Sequence, residues 1–283
     1  MNVYEIVADK IIKKLEEGTV PWRKPWTSSG CAVNWRTQKP YRGVNAFLLD
    51  PGEYATFKQI QDAGGHVKAG EKGHLVVFWK WLDKKDEETG ESDRVPLLRY
   101  YTVFNIATQA EGIESRRNTE TWEHTPIEQA DAVIKTFTDA PRIVYAGGRA
   151  FYRPAADLVS VPPLSDYRNP EEFYSTLFHE LVHSTGHSKR LARPGIMEVH
   201  KFGDEAYSKE ELVAELGASM LCAVCRLDNQ TIDNSAAYLA GWLRALRGDK
   251  RLLITAASQA QKAADYMTGS KGSEQTDDVA AAS

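Results

Sequence analysis

The segment from His179 to His183, His-Glu-Leu-Val-His, has the residue types and spacing of a metal-binding helix. Residues four apart lie on the same face of an α-helix, so His179 and His183 can present two imidazoles to one ion. Glu180 lies on a neighbouring part of the helix surface, where it can take a proton from a water molecule that the ion activates. This H-E-x-x-H pattern therefore predicts a zinc-type hydrolytic site in which Glu180 is the catalytic base.

The residues around this motif favour an ordered helix over a chance match. Asn169 can cap the first turn, Pro170 suits the first helical position, and Gly186 can end the helix. Apolar residues recur at helical spacing between these ends: Phe173, Leu177, Phe178, Leu181 and Val182. We therefore expect a helix with a buried apolar face.

A catalytic zinc site with two histidines needs a third protein ligand and keeps its fourth position for water. Glu211 and Glu215 lie four residues apart further along the chain and share a helix face. This arrangement resembles the glutamate-zincin pattern, in which a glutamate ligand on a second helix is followed four residues later by an acid. The resemblance implies that Glu211 is the ligand and that Glu215 supports one of the histidines from behind.

Two alternatives to Glu211 remain open. Ser208 and Glu211 also form a capping-box pattern, and a Glu211 turned back to cap a helix start could not bind the ion, which would leave Glu215 as the ligand. His187 lies one turn beyond the motif and could join the site if the helix continued through Gly186. Because glycine commonly ends a helix, we expect a structural hydrogen bond for His187 instead.

The composition is that of a soluble, cytoplasmic protein. The chain has 283 residues, of which 42% are hydrophobic and 26% charged, and its net charge is −4. No apolar run is long enough to cross a membrane, and the N-terminus has the pattern of an amphipathic helix rather than a signal peptide. Three cysteines fit a reducing compartment. Cys222 and Cys225 lie in an apolar helical run, so we expect buried thiols there.

The periodicity predicts the fold class α+β with two domains, the first over residues 1–112. This domain should begin with a helix that ends at Gly18. We expect a second helix over 53–63, and strands over 74–82 and 97–106 joined by a charged loop.

The second domain is predicted over residues 127–268, after a polar linker over 113–126. Small, polar residues fill 269–283, which we expect to be a disordered tail. The elements expected in the second domain are a helix over 127–139, strands over 142–146, 150–153 and 157–161, the motif helix, the Glu211 helix and a helical stretch over 235–267.

The first domain combines aromatic and basic residues. Five of the seven tryptophans lie in the N-terminal third, and residues 21–81 contain nine basic and four acidic side chains, a net charge of +5 in a negative chain. Single-stranded DNA binds to such surfaces because bases stack on aromatic rings while cations follow the phosphates. The candidate DNA-binding residues are Trp22, Trp26, Trp35, Arg36, Tyr41, Arg42 and Lys72. Tryptophans usually pack cores, and we expect that role for Trp79 and Trp81.

Several segments of the chain form a distinctive set: 18–22 with Trp26, 41–45, 70–73, 101–105, and 179–187 with Arg190 and Leu191. Together they resemble the ArdC-type antirestriction proteins of conjugative plasmids, which share their N-terminal domain with TraC-type primases. The resemblance covers nearly the whole chain. It implies an N-terminal domain that binds single-stranded DNA, a C-terminal zincin-like metallopeptidase domain, and a role in protecting incoming plasmid DNA from restriction enzymes of the recipient.

Two functions fit these features. In the first, the protein hydrolyses a peptide bond in a DNA-associated protein substrate, with Glu180 as base and Tyr207 as a candidate to stabilise the oxyanion. In the second, the metal has a structural or non-proteolytic role, and coating of single-stranded DNA alone shields the plasmid. A metal-dependent nuclease fits poorly, because nuclease sites favour carboxylate-rich binding of magnesium or manganese.

Overall fold

A computed structural model of the chain describes residues 2–18, 20–22, 31–85, 92–116, 126–147, 149–167, 169–197, 205–227 and 236–270. The helices are α1 (Val3–Glu16), α2 (Asn45–Leu48), α3 (Phe57–Asp62), α4 (Ile106–Gln109), α5 (Pro126–Thr136), α6 (Pro170–Thr185), α7 (Pro194–Met197), α8 (Glu205–Cys225), α9 (Ala236–Gly248) and α10 (Leu252–Thr268). The strands are β1 (Ala32–Asn34), β2 (Gly52–Thr56), β3 (His66–Val67), β4 (His74–Lys85), β5 (Ser92–Asn105), β6 (Ala110–Glu111), β7 (Arg142–Tyr145), β8 (Phe151–Arg153) and β9 (Leu158–Val161). The predicted α+β class is confirmed.

The N-terminal half is organised around a four-stranded sheet in the order β1-β2-β5-β4. β1 and β2 are parallel, whereas β5 runs antiparallel to both β2 and β4. The predicted hairpin is confirmed, but its strands are longer than expected, because residues 83–85 pair with 92–94 inside the predicted loop. The charged ends of these strands satisfy their backbone groups by pairing with each other.

The helix predicted over 53–63 is partly wrong. Residues 52–56 form β2, which pairs with β1 on one side and with β5 on the other. The helix α3 begins at Phe57, where Thr56 and Gln59 form a capping box. Sheet pairing, which a local pattern does not reveal, therefore overrides the helical preference of the first four residues.

The C-terminal half places a three-stranded sheet, ordered β7-β9-β8, beside a group of helices. β7 is parallel to β9 and β8 is antiparallel to it, so β8 lies at an edge. These strands and α5 match their predicted positions closely. The last helical stretch is two helices, α9 and α10, with residues 249–251 between them.

The two halves share one hydrophobic core. Val7, Ile11 and Leu15 of α1 are buried in the same cluster as residues of α6, α8, α9 and α10. Polar contacts add to this joint: Arg42 forms an ion pair with Asp265 of α10, and the Gly43 N–H donates to Gln261 Oε1 over 3.0 Å. The N-terminal helix is therefore packed against the C-terminal half instead of standing apart from it.

The predicted domain boundaries remain a prediction, and parts of two segments lie outside the described residues. These are 117–125 of the expected linker and 271–283 of the expected tail. At the start of the linker, the Ser115 hydroxyl and the Arg116 N–H both donate to Glu53 of β2. This part of the linker is thus attached to the N-terminal sheet. In the part of the chain that is described, no helix has the length and apolar character needed to cross a bilayer.

Close packing of α6 against α8 brings the two predicted metal-binding helices together. A Cβ atom on Gly217 of α8 would lie 2.8 Å from both methyl groups of Val182 on α6. Only glycine allows this approach, although it weakens a helix interior by roughly 1 kcal/mol relative to alanine. α8 also begins at Glu205, so Ser208 lies inside the helix and the capping-box alternative for Glu211 is wrong.

Candidate metal centre

The motif helix α6 forms as its sequence predicts. Asn169 Oδ1 accepts a hydrogen bond from the Glu172 N–H over 2.8 Å, Pro170 occupies the first turn, and the helix ends at Gly186. Its apolar face is fully buried, with no exposed surface at Leu177, Phe178, Leu181 or Val182. That burial fixes the rotation of the helix, and therefore the direction in which the histidines point.

His179, His183 and Glu211 converge on one point. The two Nε2 atoms are 3.1 Å apart, and the Glu211 carboxylate oxygens lie 3.6 Å from the His179 Nε2 and 3.5 Å from the His183 Nε2. One ligand atom from each of the three residues lies within 4.8 Å of the other two. In the described part of the chain, this is the group of histidine, cysteine and acidic residues that could hold a metal ion. Ligands about 2.0–2.1 Å from a common tetrahedral ion lie roughly 3.3 Å from each other. The donor atoms are therefore spaced as an ion of zinc size requires.

Glu180 lies beside this cluster with 9% of its surface exposed. Burial raises the pKa of its carboxyl group, although His179 and His183 act in the opposite direction. The backbone of Tyr152 in β8 forms a hydrogen bond with the same carboxylate. A carboxylate with a raised pKa, next to both the donor atoms and an edge strand, is suited to accept and return a proton.

A buried ion pair behind His183 was not predicted from the sequence. Glu210 Oε1 lies 3.5 Å from His183 Nδ1, and Arg193 donates to both Glu210 oxygens. The Arg193 guanidinium also donates to Thr185 Oγ1 over 2.6 Å and to the Val182 carbonyl over 2.8 Å. Burial would raise the pKa of Glu210, but His183 and Arg193 together lower it. Glu210 therefore stays charged where it can fix the imidazole orientation.

No local signal in the sequence singles out this pair. Glu210 is next to Glu211 in a charged helix start, where an exposed role is the usual expectation. Arg193 lies in the loop after α6, and Gly186 allows that loop to fold back, because a Cβ there would lie 3.1 Å from Arg193 Nη2 and 2.6 Å from Ile196. Only the path of the loop shows that the two side chains meet.

Glu215 lies one turn beyond Glu211, outside the cluster of donor atoms. The pKa of the His179 imidazole is raised. Burial alone would lower this pKa, but nearby carboxylates, including Glu211 and Glu215, outweigh burial. Glu215 Oε2 accepts a hydrogen bond from the Trp22 indole N–H over 3.1 Å. Glu215 is therefore held by Trp22 one turn from Glu211, near enough to His179 to affect its pKa.

His187 also lies outside the cluster, beyond the end of α6 at Gly186. Its Nδ1 accepts a hydrogen bond from the Lys189 N–H over 3.3 Å, which agrees with the structural role expected for it. Cys222 and Cys225 are buried, and burial raises the pKa of the Cys225 thiol to about 12. Tyr207 falls within α8, but its side chain is outside the described part of the structure.

Arg190 links the end of the motif helix α6 to the strands β8 and β9. Its side chain is buried and donates to the Ser184 carbonyl at the end of α6 over 2.7 Å. It also forms an ion pair with Asp157, next to β9, and a hydrogen bond with the Tyr152 hydroxyl of β8. This contact fixes the edge strand β8 relative to the motif helix, and hence relative to Glu180.

The structure corrects two of the predicted DNA-binding residues. Trp22 has no exposed surface and packs edge-on against Trp242. Tyr41 is 5% exposed, because its ring packs against Tyr54 and Phe78 in a second core. Neither ring is accessible to a base, so the assignment of both residues to a DNA surface is wrong.

The remaining candidates differ in their surroundings. Trp35 is half-buried, its indole N–H donates to the Glu114 carbonyl over 2.8 Å, and the Arg116 guanidinium lies 5.3 Å from the ring centre. Arg36 and Lys72 are exposed. Arg42 is engaged in its ion pair across the shared core. Trp26 and the side chains of Trp79 and Trp81 lie outside the described residues.

Phe57 is an exposed aromatic residue that the sequence pattern did not single out. Its ring is 51% exposed and is followed by the exposed Lys58. Phe57 directly follows β2, as Trp35 directly follows β1, and these two strands are parallel. Both residues therefore leave the same end of the sheet, where Arg36, Lys58 and Arg116 supply positive charge.

Two family models match this chain. One, described as the N-terminal domain of anti-restriction factor ArdC, matches residues 1–104. The other, described as a zincin-like metallopeptidase, matches residues 128–259. The zincin-like match contains the whole cluster of His179, His183 and Glu211, and the other match contains the N-terminal sheet except the last residue of β5, Asn105. Two domains of these types are thus present.

Similar proteins extend over nearly the whole chain. The protein y4eC of Sinorhizobium fredii (strain NBRC 101917 / NGR234) is 36% identical over 98% of this chain and 95% of its own length. Two DNA primase TraC proteins of Escherichia coli are each 34% identical over 93% of this chain. This chain spans 20% and 27% of the length of these two primases.

Two crystal structures of the antirestriction ArdC protein from the R388 plasmid have the same fold. The metal-free structure has a TM-score of 0.76 and 37% identity, and covers 95% of this chain and 98% of its own. The Mn(II)-bound structure has a TM-score of 0.76 and 34% identity, and covers 97% of this chain and 100% of its own. On the fold, both domain matches and full-length similarity, the chain belongs to the ArdC family of antirestriction proteins.

Proposed function

We propose that this protein binds single-stranded DNA through its N-terminal domain and hydrolyses peptide bonds in a DNA-associated protein at its metal centre. It would act in the cytoplasm and protect the incoming DNA of a conjugative plasmid from host restriction. The observation that carries the peptidase proposal is the convergence of three donor atoms within 4.8 Å beside the buried carboxylate of Glu180.

The donor set suits one divalent ion held by His179, His183 and Glu211. Two imidazoles and one carboxylate are the protein ligands of many catalytic zinc sites, and they leave a position open. A related structure contains Mn(II), and imidazole and carboxylate ligands accept manganese as well as zinc. We propose zinc as the functional ion, because nitrogen ligands favour zinc over manganese.

When bound, such an ion would polarise a peptide carbonyl and make water more acidic. The chain itself supplies the proton transfer, because Glu180 can accept a proton from water and pass it to the leaving amine. It also supplies a surface on which to place a peptide. Among the described strands, β8 pairs with β9 alone, so an extended peptide could add to its other side. Arg190 holds that edge next to Glu180.

The direct test compares the wild type with Glu180→Gln in lysate of a recipient cell that contains single-stranded DNA. We expect new protein fragments with the wild type and none with Glu180→Gln, because the amide cannot act as a base. Both proteins should bind the metal equally well, which separates loss of the base from loss of the ion. Fragmentation by both would exclude Glu180 as the base. Fragmentation by neither would favour a DNA-coating protein whose metal is not proteolytic.

For the DNA surface we propose the end of the N-terminal sheet at which Trp35 and Phe57 lie. These two rings offer stacking faces, the exposed Arg36 and Lys58 each follow one of them in the chain, and the Arg116 guanidinium lies over the Trp35 ring. Stacking accepts any base and requires unpaired strands, so this surface should prefer single-stranded DNA to duplex. The family match to the N-terminal domain of ArdC and the similarity to TraC primases support a role with DNA.

Phe57→Ala should weaken the binding of a single-stranded oligonucleotide by about 5- to 150-fold, because one stacked base is worth roughly 1–3 kcal/mol. Trp35→Ala should weaken it similarly, with some loss of stability because Trp35 is half-buried. Fluorescence anisotropy at two salt concentrations would measure both effects. Tyr145→Ala, which removes a 53% exposed ring from the other domain, is the matched control and should bind normally. Equal loss in that control, or normal binding by Phe57→Ala, would contradict this surface.

A further inference from the structure

Trp22 connects the N-terminal domain to the helix that carries Glu211. It lies within the region that matches the N-terminal domain of ArdC, yet its indole is fully buried against α8. The indole N–H donates to Glu215 Oε2 over 3.1 Å, and the Trp22 carbonyl accepts a hydrogen bond from Ser219 Oγ over 2.5 Å. Glu215 and Ser219 are one turn apart, so both the side chain and the backbone of Trp22 are fixed to α8.

Glu215 is placed to transmit this contact to the metal centre. It lies one turn after Glu211 on the same helix, so the carboxylate that Trp22 contacts is the helical neighbour of the proposed third ligand. Carboxylates behind a ligating imidazole fix its orientation and strengthen its binding to the ion. A hydrogen bond between a neutral donor and a carboxylate is stronger than one between neutral groups, so the Trp22 N–H restricts where Glu215 can lie.

We propose that Trp22 is a positioning residue of the metal centre: its indole N–H holds Glu215 in place, so that tight metal binding requires the N-terminal domain to be seated on α8. This inference rests on the metal centre proposed above. Coupling between two sites is reciprocal, so metal binding also strengthens the seating of the N-terminal domain. The ion and the DNA-binding domain are then linked through one hydrogen bond between domains.

Trp22 is one of several contacts that hold the N-terminal half against the C-terminal half. The Arg42–Asp265 ion pair, the hydrogen bond from Gly43 to Gln261 and the packing of α1 lie on the same joint as Trp22. Within this contact between the halves, Trp22 donates to Glu215, the residue one turn from Glu211. Removing the Trp22 N–H therefore tests whether this hydrogen bond affects metal affinity, while the other contacts between the two halves remain.

The experiment measures Zn²⁺ and Mn²⁺ affinity of the full chain by calorimetry, for the wild type, Trp22→Phe, Glu215→Ala and the double variant. Trp22→Phe keeps an aromatic ring but removes the donor. For Glu215→Ala we expect a 10- to 100-fold fall in metal affinity, which is typical when a residue that directly supports a metal ligand is lost. For Trp22→Phe we expect a smaller fall, of about 3- to 10-fold. The double variant should bind no more weakly than Glu215→Ala, because Trp22 acts through Glu215.

Trp242→Phe is the matched control, because Trp242 packs edge-on against Trp22, with ring centres 6.3 Å apart. It should lower the melting temperature and leave metal affinity unchanged. Unchanged affinity in Trp22→Phe, additive losses in the double variant, or an equal loss in Trp242→Phe would each overturn the inference. If Trp22→Phe does not fold, Ser219→Ala, which releases the Trp22 backbone, should lower affinity in the same direction, and normal affinity there would overturn it. A wild type that binds neither ion would instead refute the proposed metal centre itself.

Discussion

His179→Ala, His183→Ala and Glu211→Ala should each lower metal affinity by more than 100-fold. Each variant removes one of the three donor atoms that lie 3.1–3.6 Å apart, and two remaining ligands cannot hold a zinc-like ion tightly at micromolar concentration. The loss should exceed the 10- to 100-fold effect of removing a supporting residue such as Glu215. Metal content after dialysis, followed by titration with zinc and manganese, measures this difference.

His187→Ala is the control for these variants. It removes another histidine close in sequence, but one that lies beyond the end of α6 and outside the cluster. Metal affinity of this control should equal that of the wild type. If Glu211→Ala kept its metal while Glu215→Ala lost it, the third ligand would be Glu215. If His187→Ala lost its metal, the loop after α6 would have to contribute to the site.

Arg193→Met should lower the free energy of unfolding by about 3–5 kcal/mol. Arg193 is 5% exposed, and its guanidinium compensates the buried charge of Glu210 while donating to Thr185 and Val182. Removing it leaves a buried carboxylate without a counter-ion, which is among the most destabilising single changes a protein can undergo. Urea unfolding of the metal-free protein would measure the loss without a contribution from bound metal.

Two further variants separate this explanation from a general effect of losing an arginine. Arg193→Met with Glu210→Met replaces the pair by apolar side chains, and it should be more stable than Arg193→Met alone, because no uncompensated charge remains. Arg247→Met breaks an exposed ion pair with Glu16 and should cost less than about 1 kcal/mol. A double variant less stable than Arg193→Met would show that packing, and not charge, explains the loss.

Much of the site could be read from the sequence because its chemistry depends on local spacing. The helix from Asn169 to Gly186, the orientation of His179 and His183 on one face, and the position of Glu180 follow from a 3.6-residue repeat and capping rules. The resemblance to ArdC proteins extended this reading to the fold class and to both domain types. The hairpin of β4 and β5 was also predictable, because strand patterns close in sequence pair across a turn.

Contacts between distant segments could not be read in this way. Trp22 lies among basic and aromatic residues and was predicted to contact DNA, but its ring is buried because α8 and Trp242 cover it. The local sequence of residues 53–56 favours a helix, but these residues form a strand because they pair with β1 and β5. In both cases the free energy gained from burial or pairing comes from residues far away in the chain.

The sequence by itself therefore determined that His179 and His183 share one face of a helix, with Glu180 beside them. The tertiary structure decided what surrounds them: Glu210 and Arg193 behind His183, and Glu215 held by Trp22 near His179. It also shows that α8 begins before Ser208, so that the competing capping arrangement is not formed, and that Glu211 lies with the two histidines. The physical reason is that ligand types and helical spacing are local properties, whereas burial and the partners of a buried charge depend on how helices pack.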